Sequence, residues 1–147
     1  MIKIEYPSYQ PKIKTEKGRE LIFDPYRKKW ITLTPEEWVR QNFMQYLVHV
    51  LRYPVSLIAI EKEILLGEVK KRFDIVIYNQ DTVPFMVVEC KEMNVPLSEN
   101  VLHQALRYNT NMQAKFIVIT NGRYCFAFKR VGESFEETEL IPEFGNA

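Results

Sequence analysis

The sequence contains only two cysteines, Cys90 and Cys125, only two histidines, and no Cys-x-x-Cys pair. Zinc sites draw on clustered thiolates and imidazoles, so a zinc centre is not expected. Both cysteines fall in apolar strand patterns and read as buried free thiols. No apolar run approaches the length of a membrane span, and the opening stretch MIKIEYPSYQPKIKTEKG is too polar for a signal peptide. A cytoplasmic protein without membrane contact is therefore expected. No P-loop glycine pattern occurs. Repeats and low-complexity segments are absent, as is a helix rich in Arg, Asn and Gln of the kind that reads base edges. Lysine and arginine are missing after Arg130, where Glu133, Glu136, Glu137, Glu139 and Glu143 lie. Setting those five glutamates aside turns the chain's net charge of +1 into +6 for residues 1–130. A mildly basic body permits binding to a polyanion without demanding it.

What remains is a chain of 147 residues with 13% aromatics, enough for one domain around one core. The divisions expected are an extended, loosely held arm over 1–18, a folded unit over 19–131 and an acidic tail over 132–147. Pro7 and Pro11 interrupt the arm. Two β-prone runs within Leu21 to Leu33 flank Asp24-Pro25, which predicts a hairpin. Lys28 and Lys29 fall near its tip, where they either meet phosphates or are simply solvated.

Thr34-Pro35-Glu36-Glu37 is a helix start, with Thr34 as N-cap, Pro35 at the first helical position and Glu37 closing a capping box. The helix is expected to reach about Leu51, before Pro54. Its apolar face holds Val39, Phe43, Met44, Leu47, Val50 and Leu51, with Trp38, Gln41, Gln45 and His49 opposite. Glu36 and Arg40 fall on the apolar face. Either Glu36 stabilises the helix dipole with Arg40 as partner, or it approaches acids elsewhere in the fold. Strands are expected over Leu57 to Leu65, around Arg72 to Tyr78, and from Pro84 to Cys90. Strand alternation puts Phe73, Ile75 and Ile77 on one face and Asp74, Val76 and Tyr78 on the other. A second helix is expected from Glu99, capped by Ser98, to about Met112, then a strand Phe116 to Thr120, a turn at Asn121-Gly122 and a return strand Tyr124 to Val131. A helix between two buried strands implies a parallel crossover, and short turns imply antiparallel neighbours. The fold class expected is α/β: a mixed sheet flanked by helices, with an N-terminal β-hairpin.

The chemistry concentrates in RFDIVIYNQDTVPFMVVECK, residues 72–91. Asp74 lies in one strand, and Glu89 and Lys91 share a face at the end of the next. Carboxylates brought together repel each other unless a cation lies between them. Mg²⁺ meets that need with oxygen ligands, and Mn²⁺ can substitute. A lysine beside the ion can orient a water for attack on a phosphodiester. It acts as a base only once the metal or burial has lowered its pKa, so orientation and charge stabilisation are the expected roles. Without a metal, the same residues read as ion pairs, Asp74 with Arg72 or Arg40 and Glu89 with Lys91.

The series TPEEWVRQ (34–41), RFDIVIY (72–78), VECK (88–91), QALRY (104–108) and TNG (120–122) resembles the N-terminal nuclease domain of type I restriction enzyme R subunits, within the PD-(D/E)xK nuclease superfamily. The resemblance covers about residues 20–130. It implies a restriction-endonuclease-like fold and metal-dependent cleavage of DNA. Asp74, Glu89 and the backbone carbonyl of Cys90 would hold Mg²⁺, Lys91 would assist the water, and Gln104 and Tyr108 would support the site and the DNA. Glu36, or else Glu37, would be the first-helix acid. Phe73 stands where the superfamily's name has proline. R subunits carry a long ATP-driven translocase after this domain and this sequence does not, so a separate motor or methyltransferase subunit is the expected partner. The alternative is a non-catalytic DNA-binding or docking module. Lys28, Lys29, Lys70 and Lys71 are the expected phosphate contacts.

Overall fold

The computed structural model describes residues 1–108 and 113–146. Its centre is a seven-stranded mixed sheet with helix α1 (Pro35–Gln45) on one face and helix α2 (Glu99–Tyr108) on the other. The strands of this sheet are β1 (Ile2–Lys3), β5 (Ile58–Leu66), β6 (Val69–Tyr78), β7 (Pro84–Cys90), β8 (Phe116–Thr120), β9 (Tyr124–Val131) and β10 (Ser134–Thr138). The order is β1-β9-β8-β7-β6-β5, with β10 also paired to β9. A second sheet, β2 (Ile13–Glu16), β3 (Arg19–Asp24) and β4 (Lys29–Thr32), lies against α1.

The pairing follows from connection length. The β5-β6-β7 meander is antiparallel, whereas β7 and β8, joined through α2, are parallel. All five residues of β8 are buried, as expected of a strand covered on both faces. On the α1 side, Val39, Phe43, Met44 and Leu47 pack with Ile75, Ile77, Met86 and Val88. On the α2 side, Leu102 and Ala105 pack with Phe73, Val76, Val87 and Ile117. No helix among the described residues is long and apolar enough to cross a membrane.

Thr34 caps α1, accepting the Glu37 N–H at 3.0 Å, worth about 1 kcal/mol. Glu37 does not reciprocate, because its carboxylate is drawn inward by two arginines. The helix does not continue regularly to Leu51. It ends at Gln45 and passes into a single π-type turn, Tyr46–Val50, which leaves Val50 exposed. Gln41 and Gln45 are buried rather than solvated, and Tyr26, between β3 and β4, lies beside Gln45. The second helix is described as far as Tyr108, and its expected end near Met112 lies outside the described residues.

Residues 1–18 are extended but not loosely held. The β1 strand pairs with β9, Ile4 is buried, and β2 makes the expected hairpin three-stranded. After Arg130 the chain forms β10 against β9 and buries Ile141. Asn121 and Gly122 do turn β8 into β9. The Asn121 side chain accepts the N–H groups of Arg123 and Tyr124, and Gly122 has φ 91°, a conformation glycine adopts without strain.

Candidate active site at the fork of two strands

The cross-strand ladder between β6 and β7 ends at Ile75–Val88. The next facing positions are Asp74 and Glu89, where the two strands part. Past this point β7 is held from its other side by β8, with the Lys91 N–H donating to the Thr120 carbonyl at 2.8 Å. Asp74 spans the fork: its Oδ2 accepts the Cys90 N–H at 2.8 Å, replacing a ladder bond with a side-chain bond. Strand alternation is broken here. Phe73 packs with Val76 on the α2 side, not with Ile75 and Ile77, while Asp74 turns toward α1.

Asp74 Oδ1 accepts a hydrogen bond from Arg40 Nη2 at 2.8 Å. Arg40 is the last link of a chain of ion pairs running from the small sheet. Asp24, in β3, pairs with Arg27; Arg27 pairs with Glu37; Glu37 pairs with Arg40. Glu61 joins Arg27, Arg40 and Arg72 at 3.3, 3.2 and 3.0 Å. Glu61 lies in β5 between Ile60 and Lys62, which pair with Ile75 and Phe73 of β6, and has φ 53°, a left-handed conformation costing about 1–3 kcal/mol in a non-glycine residue. That distortion turns its carboxylate to the arginines. Asp24 and Glu37 are fully buried, so each needs its cation. Burial alone would lower the Arg40 pKa; the hydrogen bond to Asp74 and the Glu37 and Asp74 charges outweigh burial and raise it. Sequence reasoning named Arg40 only as a partner for Glu36 or Asp74. The chain of partners was not legible.

Glu89 accepts from Lys71 Nζ at 3.0 Å, and the same ammonium stands 5.2 Å from the Phe73 ring centroid. Lys71 is therefore a neighbour of the site acid rather than a solvated cation. Lys70 is exposed and pairs with Glu63 at 3.8 Å, while Lys28 and Lys29 are exposed at the hairpin tip. Arg27, in the same tip, is spent on Asp24 and Glu37.

Glu36 is half exposed at the start of α1, with Arg40 at 3.6 Å. Its pKa is raised by partial burial and then by the Asp74 charge, against the opposing pull of Arg40 and Lys91. Glu36 thus stands in the electrostatic field of both Asp74 and Lys91, and Glu37 serves the arginines. Cys90 is buried; burial, then the Asp74 charge, pushes its thiol well up, so its sulfur stays protonated and only its backbone faces the fork chemistry. Lys91 is partly buried, and among the described residues its ammonium makes no ion pair. Gln104 is exposed on α2 beside an open recess that Asn100, His103 and Arg107 also line. The Tyr108 side chain lies outside the described residues. Among those described, no group of three or more His, Cys, Asp or Glu side chains is gathered as a metal cluster.

A family model described as the type I restriction enzyme R protein N terminus (HSDR_N) matches residues 35–142. The chain belongs to this family. The match takes in α1, the β5-β6-β7 meander, α2, β8, β9 and β10, and so all of Glu36, Asp74, Glu89, Lys91 and Gln104. It begins after the small sheet, so the β2-β3-β4 unit of this HSDR_N member is additional to the matched region. No curated protein matches the chain.

Proposed function

We propose that the chain is a metal-dependent endonuclease domain that hydrolyses DNA phosphodiesters at the β6-β7 fork. The observation that carries this reading is the placement of Asp74 and Glu89 at facing positions just past the last β6-β7 pair, with Lys91 two residues on. Membership of the R protein family supports it.

The donor set suits a hard cation. Two carboxylates and a backbone oxygen match Mg²⁺, which commonly takes one or two carboxylates and keeps several waters. Asp74, Glu89 and the Cys90 carbonyl would hold it, with Mn²⁺ as a substitute. When bound, the ion supplies positive charge to the scissile phosphate and makes water more acidic. The residues do the rest. Arg40 and the Cys90 N–H fix the Asp74 carboxylate, and Lys71 fixes that of Glu89, so each acid already has a cation of its own. Lys91 orients the attacking water and stabilises charge growing on the phosphate. Glu36 adds negative charge at the rim, and Gln104 contacts substrate from α2. DNA is the proposed substrate, delivered with the help of a separate motor or methyltransferase subunit.

A divalent ion that relieves the clustered acids stabilises the native state as any ligand does. Mg²⁺ or Mn²⁺ should therefore raise the melting temperature of the wild type by several degrees, and Asp74→Asn should abolish the rise. An unchanged metal response in Asp74→Asn would place the ion elsewhere.

Phosphate contacts by Lys28 and Lys29 would release counterions, so DNA affinity should fall steeply with salt. Lys28→Ala with Lys29→Ala should flatten the plot of log affinity against log salt by about two contacts. The same slope in the double variant would remove the hairpin tip from the DNA path. The rival reading, a docking module without turnover, draws on the fact that each site acid already has an intramolecular cation. The two readings part on cleavage.

A further inference from the structure

The β2-β3-β4 sheet lies before Pro35, where the family match begins. Its inner face is anchored by Ile22 and Asp24, both fully buried. Its outer face has a different composition. Facing residues of an antiparallel pair share a side, so Phe23 and Trp30 stand together there, with Lys14, Leu21 and Thr32 in the neighbouring row. The two rings meet edge to face with centroids 5.4 Å apart. Neither packs into the hydrophobic clusters on the main sheet, and Trp30 is 38% exposed. Lys14 Nζ stands 4.3 Å from the Trp30 centroid, and Lys12 Nζ 5.8 Å from that of Phe23. Residues 1–33 hold eight Lys or Arg against four Asp or Glu, so this small unit is more basic than the whole chain.

We propose that this face binds single-stranded nucleic acid, with unpaired bases stacked on Trp30 and Phe23 and backbone phosphates on Lys12 and Lys14. Exposed aromatics flanked by cations are the two components of a single-strand platform. The rings attract any base by its π-face, and the ammonium groups track the phosphates. Bases inside a duplex cannot offer those faces, so the preference is for unpaired strand. The charge excess of residues 1–33 fits a polyanion. The inference rests on the reading that the chain acts on nucleic acid, and deepens it. The ion pairs from Asp24 through Arg27, Glu37 and Arg40 to Asp74 fasten the sheet to the fork, so a strand held here has a fixed orientation toward the proposed site.

Trp30 and Trp38 are the two tryptophans of the chain, so Trp38→Phe in the full chain makes Trp30 the sole reporter. It is titrated with oligo(dT) in chelator, which prevents cleavage. Quenching of Trp30 emission by oligo(dT) is expected, with weaker quenching by a blunt duplex of equal length. A fluorescently labelled oligo(dT), followed by anisotropy, should bind about tenfold more weakly to Trp30→Leu, and to Lys12→Ala with Lys14→Ala. Thermal melts identify any variant that is unfolded, and the lysine pair, whose side chains are on the surface, keeps the test open if Trp30→Leu fails to fold. Unquenched Trp30 in a folded protein overturns the proposal. So does equal quenching by duplex, emission that follows protein concentration rather than DNA (a self-association face), or unchanged affinity in both variants. Binding without cleavage would support this proposal and sink the nuclease reading; cleavage without Trp30 quenching would do the reverse.

Discussion

Replacing Lys91 with alanine is expected to slow DNA cleavage at least a hundredfold while leaving the fold, metal binding and DNA affinity nearly unchanged. Cys90 is buried and the Lys91 N–H bond to Thr120 comes from the backbone, so the substitution preserves the strand end. The proposed metal donors are Asp74, Glu89 and a main-chain oxygen, none of which is removed. One charge contributes only a small part of a polyanion contact. A positioned charge that acts mainly in the transition state is another matter, and its loss costs about 3 kcal/mol, which is about a hundredfold in rate. Nicking rates of wild type and Lys91→Ala at saturating Mn²⁺ measure the effect. Equal rates would assign the cleavage to another site or to a contaminant.

The largest expected loss of stability comes from Arg40→Ala. The side chain is buried and serves Glu37, Glu61 and Asp74 at once. Removing one member of a buried ionic group leaves uncompensated charge, at a cost of about 3–5 kcal/mol. For a chain of this size that amounts to a fall of about 10 °C in melting temperature. Pairing Arg40→Ala with Glu37→Gln should recover part of the loss, because the acid left unpaired is then neutral. Asp74, relieved of its arginine, should also respond more strongly to Mg²⁺ than in the wild type. A melting temperature within a degree of wild type would show that the network contributes little.

These two residues also mark what could be read in the sequence. The strands that carry Asp74 and Glu89 and lead to Lys91 were legible from their apolar patterns, while the role of Lys91 belongs to the proposal. The Thr34 cap, the Asn121-Gly122 turn and the parallel β7-β8 pair were legible for the same local reasons. The Arg40–Asp74 pair was among the metal-free alternatives, but the rest of the ion-pair chain was not legible: Arg27 and Glu37 are 10 residues apart, and no helical or strand period joins them. Burial of Gln41 and Gln45 was hidden because that face looks solvated by composition, and the residue beside Gln45, Tyr26, comes from outside the helix. Lys71 was read as a phosphate contact because nothing local shows that the divergence of β6 and β7 brings it to Glu89. The break in alternation at Phe73 and Asp74 is of the same kind, set by one side-chain bond across the fork.

The central claim is tested most directly by nicking of supercoiled plasmid by the purified chain in Mn²⁺, with chelator and Glu89→Gln as parallel arms. Relaxed and linear plasmid should accumulate with the wild type in metal, and in neither parallel arm. A folded, metal-binding wild type that leaves the plasmid supercoiled, alone and with a motor subunit, would contradict the account and leave a docking module in its place.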